Sequence, residues 1–400
     1  MYATNPQKTE KVAIVHYWLV TMRGGEKVVE ELCRMYPQAD IFTLVCDYEK
    51  ISAVLSRHDI RTSFLQRIPG ARKHYTKFLP LMPFALESLD LQAYDLVISS
   101  ESGPAKGVVT RPDALHVCYC HSPMRYVWDH YHLYRRNMGV IGRFVLAATA
   151  PFIRAWDVTT AARVDAFAAN SQHVANRIWR FYRRRATVIH PPVAVDDFQS
   201  NGARGEFYLC AGQLVPYKRV DLAVRAFNRS KKRLVVIGEG QQLAELRKIA
   251  GPNIELLGYQ PFPVLKDHLA RCRALVFPGE EDFGILPVEA MAAGRPVIAF
   301  DAGGARETVC SDAVGIRFAE QTEDSLNDAV ERFEMREDQF DPQEIVRHAR
   351  QFSAAVFRSR MEAFIAESRA AFEASQGRPP GAVAGSRMDL QRHLPDSART

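Results

Sequence analysis

Apolar residues fall into two long alternations of short β-rich runs and helical stretches, with a polar connector between them. The first alternation opens with the apolar run Val12 to Leu19, turns at Arg23-Gly24-Gly25 and passes into a helical pattern from Glu26 to Tyr36. A strand, a glycine turn and a helix in that order open many α/β domains. Further strands are predicted at Ala39 to Leu44, Leu96 to Ser99, Val117 to Cys120 and Ala166 to Ala169, so this half reads as a doubly wound parallel sheet. From Pro191 to Gly205 the chain turns to Pro, Asp, Asn, Gly and Ser, the composition of a connector. The second alternation predicts strands at Phe207 to Gly212, Arg233 to Ile237, Ile254 to Leu257, Ala274 to Pro278 and Val297 to Phe300. Helices are predicted at Leu222 to Asn228, Gln242 to Ala250, Val264 to Cys272, Leu286 to Ala293, Ser325 to Glu334 and Pro342 to Glu373.

Size agrees with two units: 400 residues at 47% hydrophobic is too much chain for one ordinary core. The expected division is a first α/β domain over 1–200, a second over 201–375, and a Pro-, Gly-, Ser- and Arg-rich tail over 376–400 that is too polar to fold. The net charge of +6 is spread over 52 bases and 46 acids, without the single basic stripe of a nucleic-acid binder. Seven cysteines lack any C-x-x-C pair and most sit in apolar runs, which suits a reducing compartment. Met1 to Lys11 is polar and carries no export signal, so a cytoplasmic location is expected. The stretch Met138 to Trp156 is interrupted by Arg143, Pro151 and Arg154, short of the roughly 20 apolar residues of a membrane span. It reads as a buried helix.

Candidate chemistry concentrates at the carboxyl ends of predicted strands, where open α/β sheets bind ligands. After the strand ending at Pro278 comes Gly279-Glu280-Glu281-Asp282-Phe283-Gly284-Ile285-Leu286-Pro287-Val288-Glu289, running into Ala290-Met291-Ala292-Ala293-Gly294-Arg295-Pro296. Pro287 suits a first helical turn and Gly294 a C-terminal cap, which leaves Glu281 on a loop and Glu289 early on the helix. The free N–H groups and positive dipole end at that helix start suit a phosphate. Upstream, Gly212-Gln213-Leu214-Val215-Pro216-Tyr217-Lys218-Arg219 sets two bases just before a helix. In the first half, Val117-Cys118-Tyr119-Cys120-His121-Ser122-Pro123-Met124-Arg125 puts His121 just beyond a buried strand, with Arg125 and Trp128 close behind as candidates for an acceptor pocket.

These motifs, with the flanking F-G-I and E-A-M-A-A-G-R-P-V-I-A, resemble retaining glycosyltransferase family 4, from Val12 to about Glu373. The resemblance implies two Rossmann-like domains facing a cleft, the GT-B fold, with the last helix packing back on the first domain. It implies that Glu281 faces the transferred hexose, Glu289 grips the donor ribose, and the amides of Phe283, Gly284 and Ile285 hold the diphosphate. Lys218 would bind that diphosphate, the Gly24-Gly25 loop would reach it across the cleft, His121 would line the site near the sugar, and Tyr259 would lie near the base. Many relatives carry Arg where this chain has Gln213, and Arg219 is the candidate to replace that charge. Where relatives often read His-Asp-Trp, this chain has His16-Tyr17-Trp18, so no acidic role passes to Tyr17. Glu307 is expected to be a helix-start residue.

From Ile60 to Leu86 there is no acidic residue, while Arg61, Arg67, Arg72, Lys73 and Lys77 alternate with Phe64, Leu65, Ile68, Tyr75, Phe78, Leu79 and Leu81. A basic amphipathic segment predicts docking to an anionic membrane surface. The stretches C-Y-C-H-S-P-M-R-Y-V-W and G-Q-L-V-P-Y-K-R resemble enzymes of bacterial exopolysaccharide or O-antigen assembly, and that resemblance implies hexose transfer, as mannose from GDP-mannose, onto a lipid-linked saccharide. A nucleotide-sugar donor is implied as substrate, with no essential metal. Competing readings are a UDP-glucose-type donor, an epimerase or phosphorylase, and a non-catalytic sugar-binding scaffold on the same fold.

Overall fold

The computed structural model describes residues 10–136, 138–200 and 204–376. The expected tail lies outside the described residues from 377 onward. Two parallel sheets carry the chain. The first has seven strands, β1 (Val12–His16), β2 (Asp40–Thr43), β3 (Ile60–Thr62), β4 (Leu96–Glu101), β5 (Leu115–Cys120), β6 (Ala166–Ala169) and β7 (Ala186–Val188), in the order β3-β2-β1-β4-β5-β6-β7. The second has β8 (Tyr208–Ala211), β9 (Leu234–Ile237), β10 (Ile254–Gly258), β11 (Leu275–Phe277), β12 (Val297–Phe300) and β13 (Gly315–Phe318), in the order β10-β9-β8-β11-β12-β13. Both orders reverse beside their first strand, between β1 and β4 and between β8 and β11. These are the switch points where such sheets open a crevice.

Central strands are buried along their whole length, as in Val12–His16 and Leu115–Cys120, because helices cover both faces of a parallel sheet. The strands that sequence pattern misses, β3, β7 and β13, lie toward or at sheet edges. They are three or four residues long and carry an exposed Arg61, Thr187 or Arg317, so they lack the apolar run that marks a buried strand.

The basic segment 60–86 is built from β3, short turns over 64–67 and 75–81, and short helices at Ala71–His74 and Met82–Glu87. Leu65, Met82, Ala85 and Leu86 go into the core of the first domain, Arg61 pairs with Asp40 and Asp59, and Arg72 faces Asp47. The stretch 138–156, expected as a buried helix, is not one. It forms most of the helix Val140–Ala161, which buries only one side, chiefly Leu146, Ala150 and Ile153, and exposes Val140, Ile141 and Phe144 by 82%, 81% and 75%. Among the described residues no helix is long and apolar enough to cross a membrane.

The continuous helix predicted over Pro342 to Glu373 is two, Pro342–Ala349 and Ala354–Gln376, separated by a tight turn at Arg350–Phe352. The second returns to the first domain. Its Phe357, Met361, Phe364 and Ile365 join the cluster formed by Val28, Leu32 and Val117, and Arg358 pairs with Glu31.

Candidate active site

The carboxyl ends of β1, β4 and β5 build the floor on the first-domain side. Parallel register sets His16 beside Ser100, and His121 follows Cys120 at the end of β5. Ser100 Oγ lies 3.1 Å from His16 Nδ1 and 2.8 Å from His121 Nε2, so one hydroxyl bridges two imidazoles. Asn170, at the end of β6, donates to the His121 carbonyl at 3.0 Å. Burial, helped by the neighbouring His16, pushes His121 down to about 3, and its ring is therefore neutral at physiological pH. Tyr17 lines the same floor; burial and then the Glu26 carboxylate push its phenol well above the ordinary value, which rules out an anionic substitute for Asp at this position.

From the second domain, the loop after β8 brings Lys218 and the loop after β11 brings Glu281, their Nζ and Oε1 2.8 Å apart. The approach requires Gly279, where any Cβ would fall 2.6 Å from Lys218 Cα. Burial works against the Lys218 charge, but the facing Glu281 outweighs it and holds the amine above its ordinary value. The helix Ile285–Ala292 starts beside this pair, after Gly284 in the left-handed region (φ 84°). Glu289 looks into the cleft, its carboxyl without an ion pair or hydrogen bond to another described residue, and burial raises that carboxyl to about 7.

Opposite, the helix Gly24–Met35 begins at the glycine loop. A side chain at Gly24 would strike Ile285 Cδ1 at 2.7 Å, and one at Gly25 would strike the Tyr17 hydroxyl at 2.8 Å and approach His121 Nε2 at 3.7 Å. Two helix starts, one from each domain, thus meet across the crevice, and each presents unsatisfied N–H groups suited to an anion. The cleft between them holds about 1020 Å³. Of its lining cations, Lys218 is paired with Glu281 and Arg125 with Asp282, whereas Arg23 has no ion pair to a described residue.

The structure gathers Gly24, Gly25, His121, Lys218, Glu281, Phe283, Gly284, Ile285 and Glu289 around this one cleft. Arg219 and Tyr259 do not reach its lining. Arg219 takes a left-handed backbone (φ 52°) between a tight turn and the next helix, and its guanidinium goes to Asp221 and Gln321. Tyr259 follows the edge strand β10, two strands from the switch point, and is 68% exposed. Trp128 is packed rather than pocket-lining: its indole donates to Asp157 at 2.7 Å and its ring stacks on Phe181. Glu307 caps across the domains, accepting from the backbone N–H groups of Gln172 and His173 at 2.9 and 3.2 Å. Pattern reading gives no role to Arg23, nor to Ser100, Glu26 or Asp282, which meet residues from other elements. Asp282 is held below the usual carboxylate range, because Arg125 and Arg177 together overcome its burial.

The family described as Glycosyltransferase Family 4 matches residues 22–197, and that described as Glycosyl transferases group 1 matches residues 196–354. Together the two matches span residues 22–354, and the two parallel-sheet domains have the GT-B fold. An uncharacterized glycosyltransferase of Methanocaldococcus jannaschii is 29% identical over 165 residues, 40% of this chain and 47% of that protein. A GDP-mannose-dependent alpha-(1-6)-phosphatidylinositol monomannoside mannosyltransferase of Mycobacterium tuberculosis is 33% identical over 140 residues, 30% of this chain and 36% of that protein. The chain thus matches less than half the length of these curated relatives. Among solved structures, Anabaena HepE in complex with UDP and glucose shares the GT-B fold at TM-score 0.66 and 15% identity, over 89% of this chain and 99% of that one. Sucrose-phosphate synthase from Thermosynechococcus elongatus does so at TM-score 0.65 and 17% identity, over 90% and 100%.

Proposed function

We propose that this chain is a retaining glycosyltransferase that moves a hexose from a nucleoside diphosphate to an acceptor hydroxyl. The observation that carries the reading is the Lys218–Glu281 pair, set beside two opposed helix starts in one interdomain cleft. The bond from the anomeric carbon to the diphosphate oxygen breaks, and a bond to the acceptor oxygen forms on the same face. The acceptor proton passes to the departing diphosphate, whose growing charge Lys218 and the amides near Gly24, Gly25 and Ile285 stabilise. Glu281 faces the hexose and Glu289 accepts from the ribose hydroxyls. No metal is assigned to the step.

GDP-mannose is the donor favoured by the similarity to GDP-mannose-dependent mannosyltransferases, and a UDP-sugar is the alternative. A lipid-linked saccharide, as in exopolysaccharide or O-antigen assembly, is the acceptor this reading takes. Its support is the apolar part of the cleft lining, Trp18, Leu79, Met82, Tyr134, Met138 and Leu146, with the exposed Val140, Ile141 and Phe144 on the helix that carries Leu146. The exposed bases Arg67, Lys73 and Lys77, in the adjoining segment, suit anionic headgroups and support peripheral attachment to the inner membrane face.

A panel of nucleotide sugars offered with extracted lipid-linked saccharides tests this reading, with the product's anomeric configuration read by NMR. Transfer with retention is expected. Release of hexose 1-phosphate, or product formed without acceptor, would establish an epimerase or phosphorylase instead, and nucleotide binding without turnover a scaffold. Lys218→Ala and Glu281→Gln should each lower turnover by about a hundredfold or more.

A further inference from the structure

The bridge between His16 and His121 has a direction. A serine hydroxyl has one proton to give, so Ser100 donates to one imidazole and accepts from the other. In one polarity, His16 Nδ1–H donates to Ser100, Ser100 donates to His121 Nε2, and the proton of neutral His121 is on Nδ1. In the other, Ser100 donates to His16 Nδ1 and accepts from His121 Nε2–H, leaving His121 Nδ1 as a bare acceptor.

Glu26 distinguishes the two. His16 is fully buried, and its Nε2 has no hydrogen-bond partner. Glu26 Oε1 is 4.0 Å from that nitrogen, and the other carboxylate oxygen is fixed by the Arg23 backbone N–H at 3.0 Å. Glu26 is itself 2% exposed, and although burial disfavours its charge, the contact with His16 keeps the carboxyl below its ordinary value. A proton on His16 Nε2 faces that negative charge favourably, whereas a lone pair there faces it with repulsion. With His16 in its neutral form, the proton is therefore kept on Nε2 and Nδ1 accepts, which turns the Ser100 hydroxyl toward it. His121 must then donate from Nε2. Its remaining nitrogen, Nδ1, has no partner among the described residues, and the ring lines the cleft.

We propose that Glu26, His16 and Ser100 are positioning residues that fix His121 as the Nε2–H tautomer, so that it offers the cleft a hydrogen-bond acceptor. Resting on the glycosyltransferase reading, the consequence is selective recognition of one hydroxyl of the transferred sugar as a donor to Nδ1. A site that needs such a hydroxyl penalises analogues lacking it, because a buried polar atom is left unpaired.

The tautomer is read without any substrate, by nitrogen NMR of protein labelled at histidine, at pH 8, with His121→Gln assigning the signal. The expected wild-type result is a protonated Nε2 and a bare Nδ1. Ser100→Ala, which cuts the bridge, and the isosteric Glu26→Gln, which removes the charge, should each leave His121 in a mixture. A protonated Nδ1 in the wild type, or a tautomer unchanged in both variants, would overturn the proposal. Donors each lacking one hydroxyl form the second arm. Wild type should lose about a hundredfold in kcat/KM with one of them, and Ser100→Ala should reduce that penalty to a few-fold; an undiminished penalty counts against the relay. Failure of all donors to turn over, with the NMR result intact, sinks the glycosyltransferase reading and leaves the tautomer assignment standing.

Discussion

Glu289 is a carboxyl whose burial raises it to about 7 with no counter-charge to relieve it. A carboxyl raised on folding contributes stability below its unfolded value near 4.5, and that contribution is lost as pH rises through about 7. Glu289→Gln should therefore stabilise the unliganded protein at pH 8 relative to pH 4, by at most roughly 3 kcal/mol, measurable by urea unfolding at the two pH values. The same ionisation should sharpen ribose binding, so donor affinity is expected to rise from pH 6 to pH 8 in the wild type and stay flat in Glu289→Gln. Arg23 is the lining cation left without a carboxylate, and Gln213 contributes no charge. Arg23→Gln should raise donor KM about tenfold, equivalent to about 1.4 kcal/mol, with a smaller change in kcat. Residues of this kind divide by how they are encoded. Glu281, Glu289, Lys218 and His121 are legible because each sits in a short contiguous motif at a strand end. Ser100 is not, because its meaning comes from register with His16 across 84 positions.

The helix Val140–Ala161 differs in its surroundings at its two ends. Near its C-terminus, Asp157 is completely buried with Lys106 and also accepts from the Trp128 indole and the Tyr182 hydroxyl. Asp157→Ala would leave Lys106 with the Glu101 carboxylate at 3.5 Å and strip the acceptor from the buried Trp128 and Tyr182 donors, so it should cost about 3–5 kcal/mol in chemical denaturation. Near its N-terminus, Val140, Ile141 and Phe144 face solvent. Ile141→Ser with Phe144→Ser should leave stability within about 1 kcal/mol of wild type. Flotation with acidic vesicles should nevertheless fall several-fold; unchanged flotation would remove this face from the docking reading. An apolar run gives no sign of which of its sides meets protein, and for this reason pattern alone assigned the helix to the interior. In the basic run 60–86, carboxylates that the run itself lacks, Asp40, Asp47 and Asp59, take up two of its charges, Arg61 and Arg72.

At the scale of the molecule, the two parallel sheets were legible because their inner strands are uniformly apolar, and the short outer strands were not. The sequence also gives no warning that charged pairs tie the domains together. Arg177 reaches Asp282 at 2.9 Å, and Glu307 caps the start of the helix Gln172–Tyr182 from the other domain. Removing residues 354–376 should destabilise the first domain more than the second, because Phe357, Met361, Phe364 and Ile365 leave its core. Hydrogen exchange should then show protection lost first in β1, β4 and β5. The return of that helix also means that the chain passes between the domains twice. The two passages lie side by side: Val193 N donates to the Phe352 carbonyl at 2.9 Å, and Val193 bridges Ser353. A lone tether would let one domain swivel freely, whereas two tethers joined side by side restrain that freedom. Any widening of the groove would bend both passages at once, around Val193 and Ser353.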